Sequence, residues 1–250
     1  MSDPYNWDGR VESWEEIAAS DTFLALRDEI CERAEPSGDD VVVDLGAGTG
    51  LLALALAPRV AQVKAIDIAP RMLERLDAAA AADAIDNVTP LLGDLRQLPL
   101  DDESATLAVS NYAFHHLEDD DKQLALSEVR RVLVPGGRLV ICDMMFSLSL
   151  KPRDRALLWE KLTAIARRGP AGFLRIARNA GRVAVGRWEH PSPQEDWERM
   201  LRERRFEDVA VEPLVNEAGL ATARRPLHAA VSVPVAQHGR GSNLDHEPRG

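Results

Sequence analysis

The stretch that most constrains this chain is VVVDLGAGTGLLALALA at residues 41–57. An apolar, branched run meets a glycine-rich turn and then a second apolar run. The first five residues are too short and too β-branched for a helix and read as a buried strand. The turn Asp44-Leu45-Gly46-Ala47-Gly48-Thr49-Gly50 sets glycine at alternate positions. Glycine there permits a tight reversal into a helix. It also lets the backbone approach a ligand closely, because no Cβ stands in the way. The spacing is G-x-G-x-G. A dinucleotide fingerprint needs its third glycine one residue later, at the position held by Leu51.

The same alternation continues downstream. VKAID (63–67) reads as a second strand, and Pro70 opens a helix at a position where proline is favoured. NVTPLL (87–92) reads as a third strand, with Pro90 suited to a sheet edge. ATLAVS (105–110) is a fourth. Leu124, Leu126, Val129, Val132 and Leu133 then recur at near-helical spacing and predict a helix over about 120–133. That helix is expected to stop at Pro135-Gly136-Gly137, and GRLVICD (137–143) follows as a fifth strand. A helix near 193–204 precedes two more β-like runs, DVAVEPL (208–214) and LHAAVSVPV (227–235). Strands alternating with helices through short connections predict an α/β fold with a mainly parallel sheet.

Five segments follow from this pattern. Residues 1–39 form an N-terminal helical cap carrying Tyr5, Trp7 and Trp14. Residues 40–146 form the core, 147–190 an insertion, 191–236 the C-terminal part of the core, and 237–250 a disordered polar tail. The insertion holds ten Lys or Arg against three Asp or Glu, a local net of +7 in a 250-residue chain of net charge −11. The rest of the chain is therefore strongly acidic, which argues against a nonspecific nucleic-acid binder. Two cysteines, Cys31 and Cys142, make neither a disulfide framework nor a Cys-rich metal site. The expected compartment is a reducing cytoplasm. No apolar run approaches the ~20 residues that span a bilayer, and MSDPYNWDGR does not read as a signal peptide.

Two acids extend the glycine motif. Asp67 ends the second strand, where a carboxylate can accept hydrogen bonds from a ribose diol. Asp94, in GDLRQLPL, lies just past the third strand, placed to accept from an adenine amino group. The motifs VVVDLGAGTG, VKAIDIAPRML, GDLRQLPL, SNYAFHHL and EVRRVLVPGGRLVICD, over residues 40–143, resemble the class I S-adenosylmethionine-dependent methyltransferases in order and spacing. The resemblance is nearest to the small-molecule branch that includes the ubiquinone and menaquinone C-methyltransferases, without a quinone-specific signature.

The resemblance implies a Rossmann-like seven-stranded sheet with the last strand antiparallel, helices on both faces and a helical lid insertion. DVAVEPL and LHAAVSVPV would be strands six and seven. S-adenosyl-L-methionine would be the cofactor. Gly46, Gly48 and Gly50 would form its loop, with Asp44 at the amino-acid end and Asp67 on the ribose hydroxyls. Ile68 would pack on the adenine, Asp94 and the Leu95 backbone would meet its edge, and Asn111, beside Ser110, would face the methionyl group.

Methyl transfer needs a base only when the acceptor arrives protonated. His115 and His116 are the candidates, with His115 preferred and Tyr112 as its stacking or orienting partner. No metal site is expected, and the acidic run Glu118 to Asp121 reads as a solvated helix start. Aromatic residues among the cations of 147–190 suit a lid over a hydrophobic, anionic or membrane-derived substrate, or peripheral contact with an anionic membrane. The N-terminal cap is expected to close over the cofactor. The run Ser110-Asn111-Tyr112-Ala113 lacks the Asn/Asp-Pro-Pro-aromatic pattern of amino-methylating DNA enzymes. A catalytically silent cofactor-binding regulator is the alternative, and Leu51 and Asp94 disfavour a dehydrogenase. The acceptor atom, and the choice between monomer and homodimer, stay open.

Overall fold

The computed structural model describes residues 7–146, 189–215 and 217–227. After a short 3-10 turn at Trp7–Gly9, the elements run α1 (Val11–Ala18), α2 (Asp21–Arg33), β1 (Val41–Leu45), α3 (Leu51–Leu56), β2 (Gln62–Asp67), α4 (Pro70–Ala82) and β3 (Val88–Leu92). They continue through β4 (Ala105–Asn111), α5 (Asp119–Val132), β5 (Leu133–Met144), α6 (Gln194–Glu203), β6 (Glu207–Pro213) and β7 (Ala218–Arg224).

The seven strands form one sheet in the order β3-β2-β1-β4-β5-β7-β6. The first five are mutually parallel, and β7 runs antiparallel to both β5 and β6. The order reverses direction at β1 and β4, and ligands of open α/β sheets bind at the carboxyl ends of strands beside such a switch. Both faces are covered. Leu26 and Ile30 of α2, Leu52 and Leu56 of α3 and Leu76 of α4 pack with Val42, Val63, Leu107 and Val109 on one face. Leu126 and Val129 of α5 and Trp197 and Leu201 of α6 pack with Val43, Leu45, Leu139 and Ile141 on the other. Burial on two faces is why the central strands are continuous apolar runs. Pro90 sits on β3, an edge strand, where its missing N–H costs no ladder bond on the open side.

Two boundaries differ from the sequence expectation. Helix α5 ends at Val132, and Pro135-Gly136-Gly137 lies inside β5. Leu133 pairs with Ala105 and Arg138 with Leu107, so the strand carries a bulge of three extra residues, with Gly136 at φ +79°. The seventh strand is Ala218–Arg224, not the run beginning at Leu227. AGLATAR has little intrinsic strand preference, but the position between two strands demands small residues: a Cβ on Gly219 would lie 2.6 Å from the Met145 Sδ. Most of LHAAVSVPV, the tail, Tyr5 and all ten cations of the insertion lie outside the described residues.

The return from the insertion is described. Lys122, fully buried on α5, donates to Asp119 Oδ1 (2.9 Å), Ser192 Oγ (2.6 Å) and the His190 carbonyl (2.5 Å). Ser192 Oγ donates to the same Asp119 oxygen at 2.8 Å. The His190 N–H donates to the His115 carbonyl at 2.6 Å. This network fixes residues 190–192 against the sheet end. Trp197 on α6 packs edge-on to Phe114, with ring centroids 5.5 Å apart. Trp197→Ala is expected to lower stability by about 3–5 kcal/mol, read as a reduced urea midpoint with an unchanged slope. Trp197→Phe, which keeps a ring and removes an indole N–H that has no acceptor, is expected to cost much less. Equal losses for the two would show that ring packing is not what α6 contributes.

Candidate active site

A cavity of about 310 Å³ opens at the carboxyl ends of β1, β2 and β4. Its floor is the glycine turn. Gly46 and Ala47 donate their N–H groups to the Ile66 carbonyl at 2.8 and 2.9 Å. Gly48 donates to Asp67 Oδ2 at 2.8 Å, and Ala69 donates to Asp67 Oδ1 at 2.9 Å. These bonds lay the turn flat against the end of β2 and fix the Asp67 carboxylate at the cavity wall. Gly46 has φ +74°, and a Cβ there would meet the Ala113 Cβ at 2.4 Å. Any side chain would push the turn away from the loop after β4.

Asp44 and Asn111 lie at the carboxyl ends of β1 and β4, flanking this floor on the same sheet face as Val42 and Val109. Both are buried, and neither lines the cavity. Asp44 Oδ2 and both polar atoms of the Asn111 amide have no hydrogen-bond partner among the described residues. Burial pushes the Asp44 carboxyl up to about 7; a hydrogen bond from the Ala53 backbone opposes the shift, and the Asp67 charge adds to it. An unpartnered carboxyl oxygen and an unpartnered amide match what an α-amino-acid zwitterion would bring, an ammonium that donates and a carboxylate that accepts. The residues present therefore fit the methionine end of S-adenosylmethionine.

Ile68, Asp94 and Leu95 all line the cavity. Asp94 is engaged by Arg96, with Nη2 to Oδ2 at 2.6 Å and Nε to Oδ1 at 2.9 Å, and these bonds hold its carboxyl below the ordinary range. Arg96 also reaches Asp121 Oδ2 at 2.9 Å. An adenine amino group would share Asp94 with this guanidinium. Arg96, Glu118 and Asp121 are all wall residues, so the acidic start of α5 faces the cavity as well as solvent.

The two adjacent histidines diverge. His116 lines the cavity, and burial pushes its imidazole down to about 2, helped by His115 and Arg10, so it stays neutral. His115 is buried behind the wall, with Nδ1 2.6 Å from Asp143 Oδ1. The other Asp143 oxygen accepts from the Phe114 and His115 N–H groups at 2.7 and 3.2 Å. A carboxylate so fixed sets the ring orientation and places the hydrogen on Nδ1. The imidazole rings of His115 and His116 lie 3.9 Å apart, and Tyr112 meets His115 edge-on at 5.7 Å. Tyr112 lines the cavity, has φ +57°, and burial raises its phenol.

Gly50 caps the start of α3 at φ +98° and is not a wall residue. Sequence reasoning did not single out Asp143, Lys122, Arg96 or His190. Asp143 carried a usable signal: an acid ending the strand next to the one that precedes the histidines. His190 carried none, because its place at the wall depends on the Lys122 network. Cys31 and Cys142 are both buried with thiols pushed up, so neither is placed as a nucleophile.

Asp44 makes stability depend on pH. Its folded-state value lies above the ordinary 3.8, so the folded chain holds this proton more tightly than the unfolded chain. The contribution is present below about pH 4 and is lost as pH rises through about 7. Asp44→Asn is therefore expected to melt higher than the parent at pH 8 without ligand, with the gap narrowing as pH falls below 7 and closing only near pH 4, while its S-adenosylhomocysteine affinity falls. A melting difference independent of pH would show that Asp44 is not proton-coupled.

A model of a methyltransferase domain matches residues 42–137. An uncharacterized methyltransferase of Mycobacterium tuberculosis is 32% identical over 166 residues, covering 66% of this chain and 74% of that protein. The uncharacterized methyltransferase YcgJ of Bacillus subtilis is 31% identical over 140 residues, 56% of this chain and 53% of that protein. The YcgJ crystal structure superimposes with a TM-score of 0.55 at 26% identity, over 76% of this chain and 68% of that one. A SAM-dependent methyltransferase from Aquifex aeolicus, at 17% identity and TM-score 0.61 over 85% and 97% of the two chains, shares the fold. The chain spans 45–63% of the length of the first curated relatives it matches. Identity across three quarters of the M. tuberculosis relative, on a sheet of this order with the glycine turn at its switch point, establishes that the chain belongs to the methyltransferase domain family.

Proposed function

We propose that this chain is an S-adenosylmethionine-dependent methyltransferase acting on a small hydrophobic molecule, with an acidic group on that molecule left open. The observation that carries this reading is the glycine turn bonded to Asp67 at the cavity wall, with the unpartnered Asp44 and Asn111 atoms flanking it. When bound, the cofactor supplies an electrophilic methyl group on a sulfonium, open to in-line displacement.

The chain's own residues bind, orient and exclude water. Asp67 takes the ribose hydroxyls, Ile68 and the Leu95 backbone hold the adenine, and Asp94 meets its amino edge beside Arg96. Asp44 and Asn111 hold the amino-acid end. Trp7, Leu117, His116 and His190 line the remaining wall and shape the acceptor's place. His115, its ring fixed by Asp143 with Nε2 as the working nitrogen, is the group for taking an acceptor's proton, and because it lies behind the wall it acts only on an acceptor that reaches past that wall. His116, neutral at working pH, serves as wall and hydrogen-bond partner. Tyr112 packs on the edge of His115 and holds it in place.

The insertion at 147–190 is proposed as a lid for the acceptor, a reading supported by its +7 charge in a −11 chain. Among the described residues no helix is long and apolar enough to cross a membrane. Peripheral contact through the insertion is tested by flotation with anionic vesicles: wild type should float and Arg→Glu variants of the insertion should not. Absence of flotation by wild type would remove the membrane part of the proposal.

The central test is calorimetric titration with S-adenosylhomocysteine and, separately, NAD. Wild type should bind the first and not the second. Asp67→Ala should weaken S-adenosylhomocysteine by about tenfold or more, since it removes an acceptor to two hydroxyls. Incubation with labelled S-adenosylmethionine and a panel of quinol-like and acidic lipid acceptors should then yield a labelled product. Binding without any transfer would favour a regulatory binding module, and no binding would refute the cofactor assignment.

A further inference from the structure

Asp44 and Asn111 share the glycine turn with a third buried polar group that has no partner. The indole Nε1–H of Trp14, on α1, is buried without an acceptor among the described residues. It lies over Gly48, where a Cβ would come within 2.8 Å of it, and the ring lines the cavity. Gly48 has φ +53°, and only a residue without a side chain leaves room for the indole there. Trp14 meets Phe23 edge-on at 5.5 Å, and Phe23 packs at 4.9 Å on Tyr112, which follows Asn111. The aromatic chain Trp14-Phe23-Tyr112 thus runs from the glycine turn to the end of β4.

A buried N–H without an acceptor is unfavourable, and native structures keep few of them. The rest of the ring packs with Val11, Ala69, Met72 and Trp7, contacts that make no use of the indole N–H. The unpartnered groups also complement one another. Asp44 Oδ2 and Asn111 Oδ1 are acceptors suited to an ammonium. Trp14 Nε1–H and the Asn111 Nδ2 group are donors suited to a carboxylate.

We propose that Trp14 is a cofactor-binding residue that donates its indole N–H to the α-carboxylate of S-adenosylmethionine, so that α1 forms part of the cofactor site. The proposal rests on the cofactor assignment above. It gives the N-terminal cap a specific chemical task beyond excluding water. The cap is fastened to α4 by the apolar patch and by exposed contacts. Arg71 bonds Asp8 and meets Glu12 at 3.4 Å, and Arg75 lies 3.8 Å from both Glu12 and Glu15. Exposed ion pairs of this kind each contribute little. The bound carboxylate then becomes a substantial fastening for α1, and cofactor binding and cap closure reinforce each other.

The test uses the full chain and two probes. S-adenosylhomocysteine carries the amino-acid end; 5′-methylthioadenosine keeps the nucleoside and lacks it. Trp14→Phe should weaken S-adenosylhomocysteine by about tenfold or more, the loss of one charge-assisted hydrogen bond, and leave 5′-methylthioadenosine unchanged. Asp67→Ala should weaken both. In wild type labelled with 15N at its five tryptophans, the indole signal missing from Trp14→Phe should move downfield with S-adenosylhomocysteine and stay in place with 5′-methylthioadenosine. Equal losses for the two probes, or an unmoved indole signal at saturation, would overturn the proposal, leaving Trp14 as packing. The indole readout needs no variant other than the one that assigns it, so a poorly folded Trp14→Phe would not rescue the idea. If wild type binds neither probe, the cofactor assignment itself fails, an outcome distinct from selective retention of both in Trp14→Phe.

Discussion

The molecule depends on how the end of β1 is tied to the end of β2. Three consecutive N–H groups, from Gly46, Ala47 and Gly48, donate to the Ile66 carbonyl and to Asp67. A turn held this way has no freedom to bulge outward, so whatever lies above it must come close to bare backbone. Ala113 does so at Gly46 and Trp14 at Gly48. The loop after β4 and the N-terminal cap thereby meet over one short segment, and the cavity is the space left between them. The Asp67 carboxylate is structural and functional at once: two backbone donors orient it, and that orientation sets it in the wall.

The parts of this arrangement legible in the sequence are those with a strong local cause. β1 and β4 are buried on two faces and show largely apolar runs, β2 carries Val63, Ala65 and Ile66 buried around Lys64, and the glycine turn and the strand-end acids Asp67 and Asp94 follow directly from them. β7 has no such cause. Its Gly219 is set by the close approach of the Met145 side chain, and a tertiary demand of that kind leaves no propensity to read. The start of β5 was hidden for the opposite reason. Helical spacing ran on through Leu133, and only pairing with Ala105 reveals that the chain has already become a strand. In the site, His115 and His116 are indistinguishable as letters, yet one ring turns toward Asp143 and the other toward the cavity. Lys122 was concealed in an acidic run that reads as solvated. A fully buried lysine needs its partners in place, and two of them arrive from about seventy residues away.

The Lys122 network also constrains what the insertion can do. The insertion leaves from the end of β5, where Met145 N–H is held by the Glu217 carbonyl. It returns through His190, bonded to the His115 backbone and to Lys122. Both attachment points lie at the carboxyl edge of the sheet, and of the two His190 lines the cavity. The histidine pair sits at the same corner, tied to His190 through the His115 carbonyl.

The placement of unsatisfied groups argues that this corner is built for a ligand and not for stability. Among the described residues, Asp44 Oδ2, both polar atoms of Asn111 and the indole N–H of Trp14 are buried without partners around one turn. Burial of Asp44 disfavours its charged form, and the chain accepts that cost beside a second acid, Asp67. A fold selected for stability alone would place apolar side chains at 44 and 111, as it does at 42 and 109 on the same face. A zwitterionic ligand changes the balance. Its ammonium makes the ionised form of Asp44 favourable, and its carboxylate supplies an acceptor for donors that otherwise have none. On the proposed reading, the groups that weaken the unliganded protein are the ones that would discriminate for a charged amino-acid end. Because they sit on β1, β4 and α1, engaging them draws the sheet edge, the loop after β4 and the cap together in a single binding event.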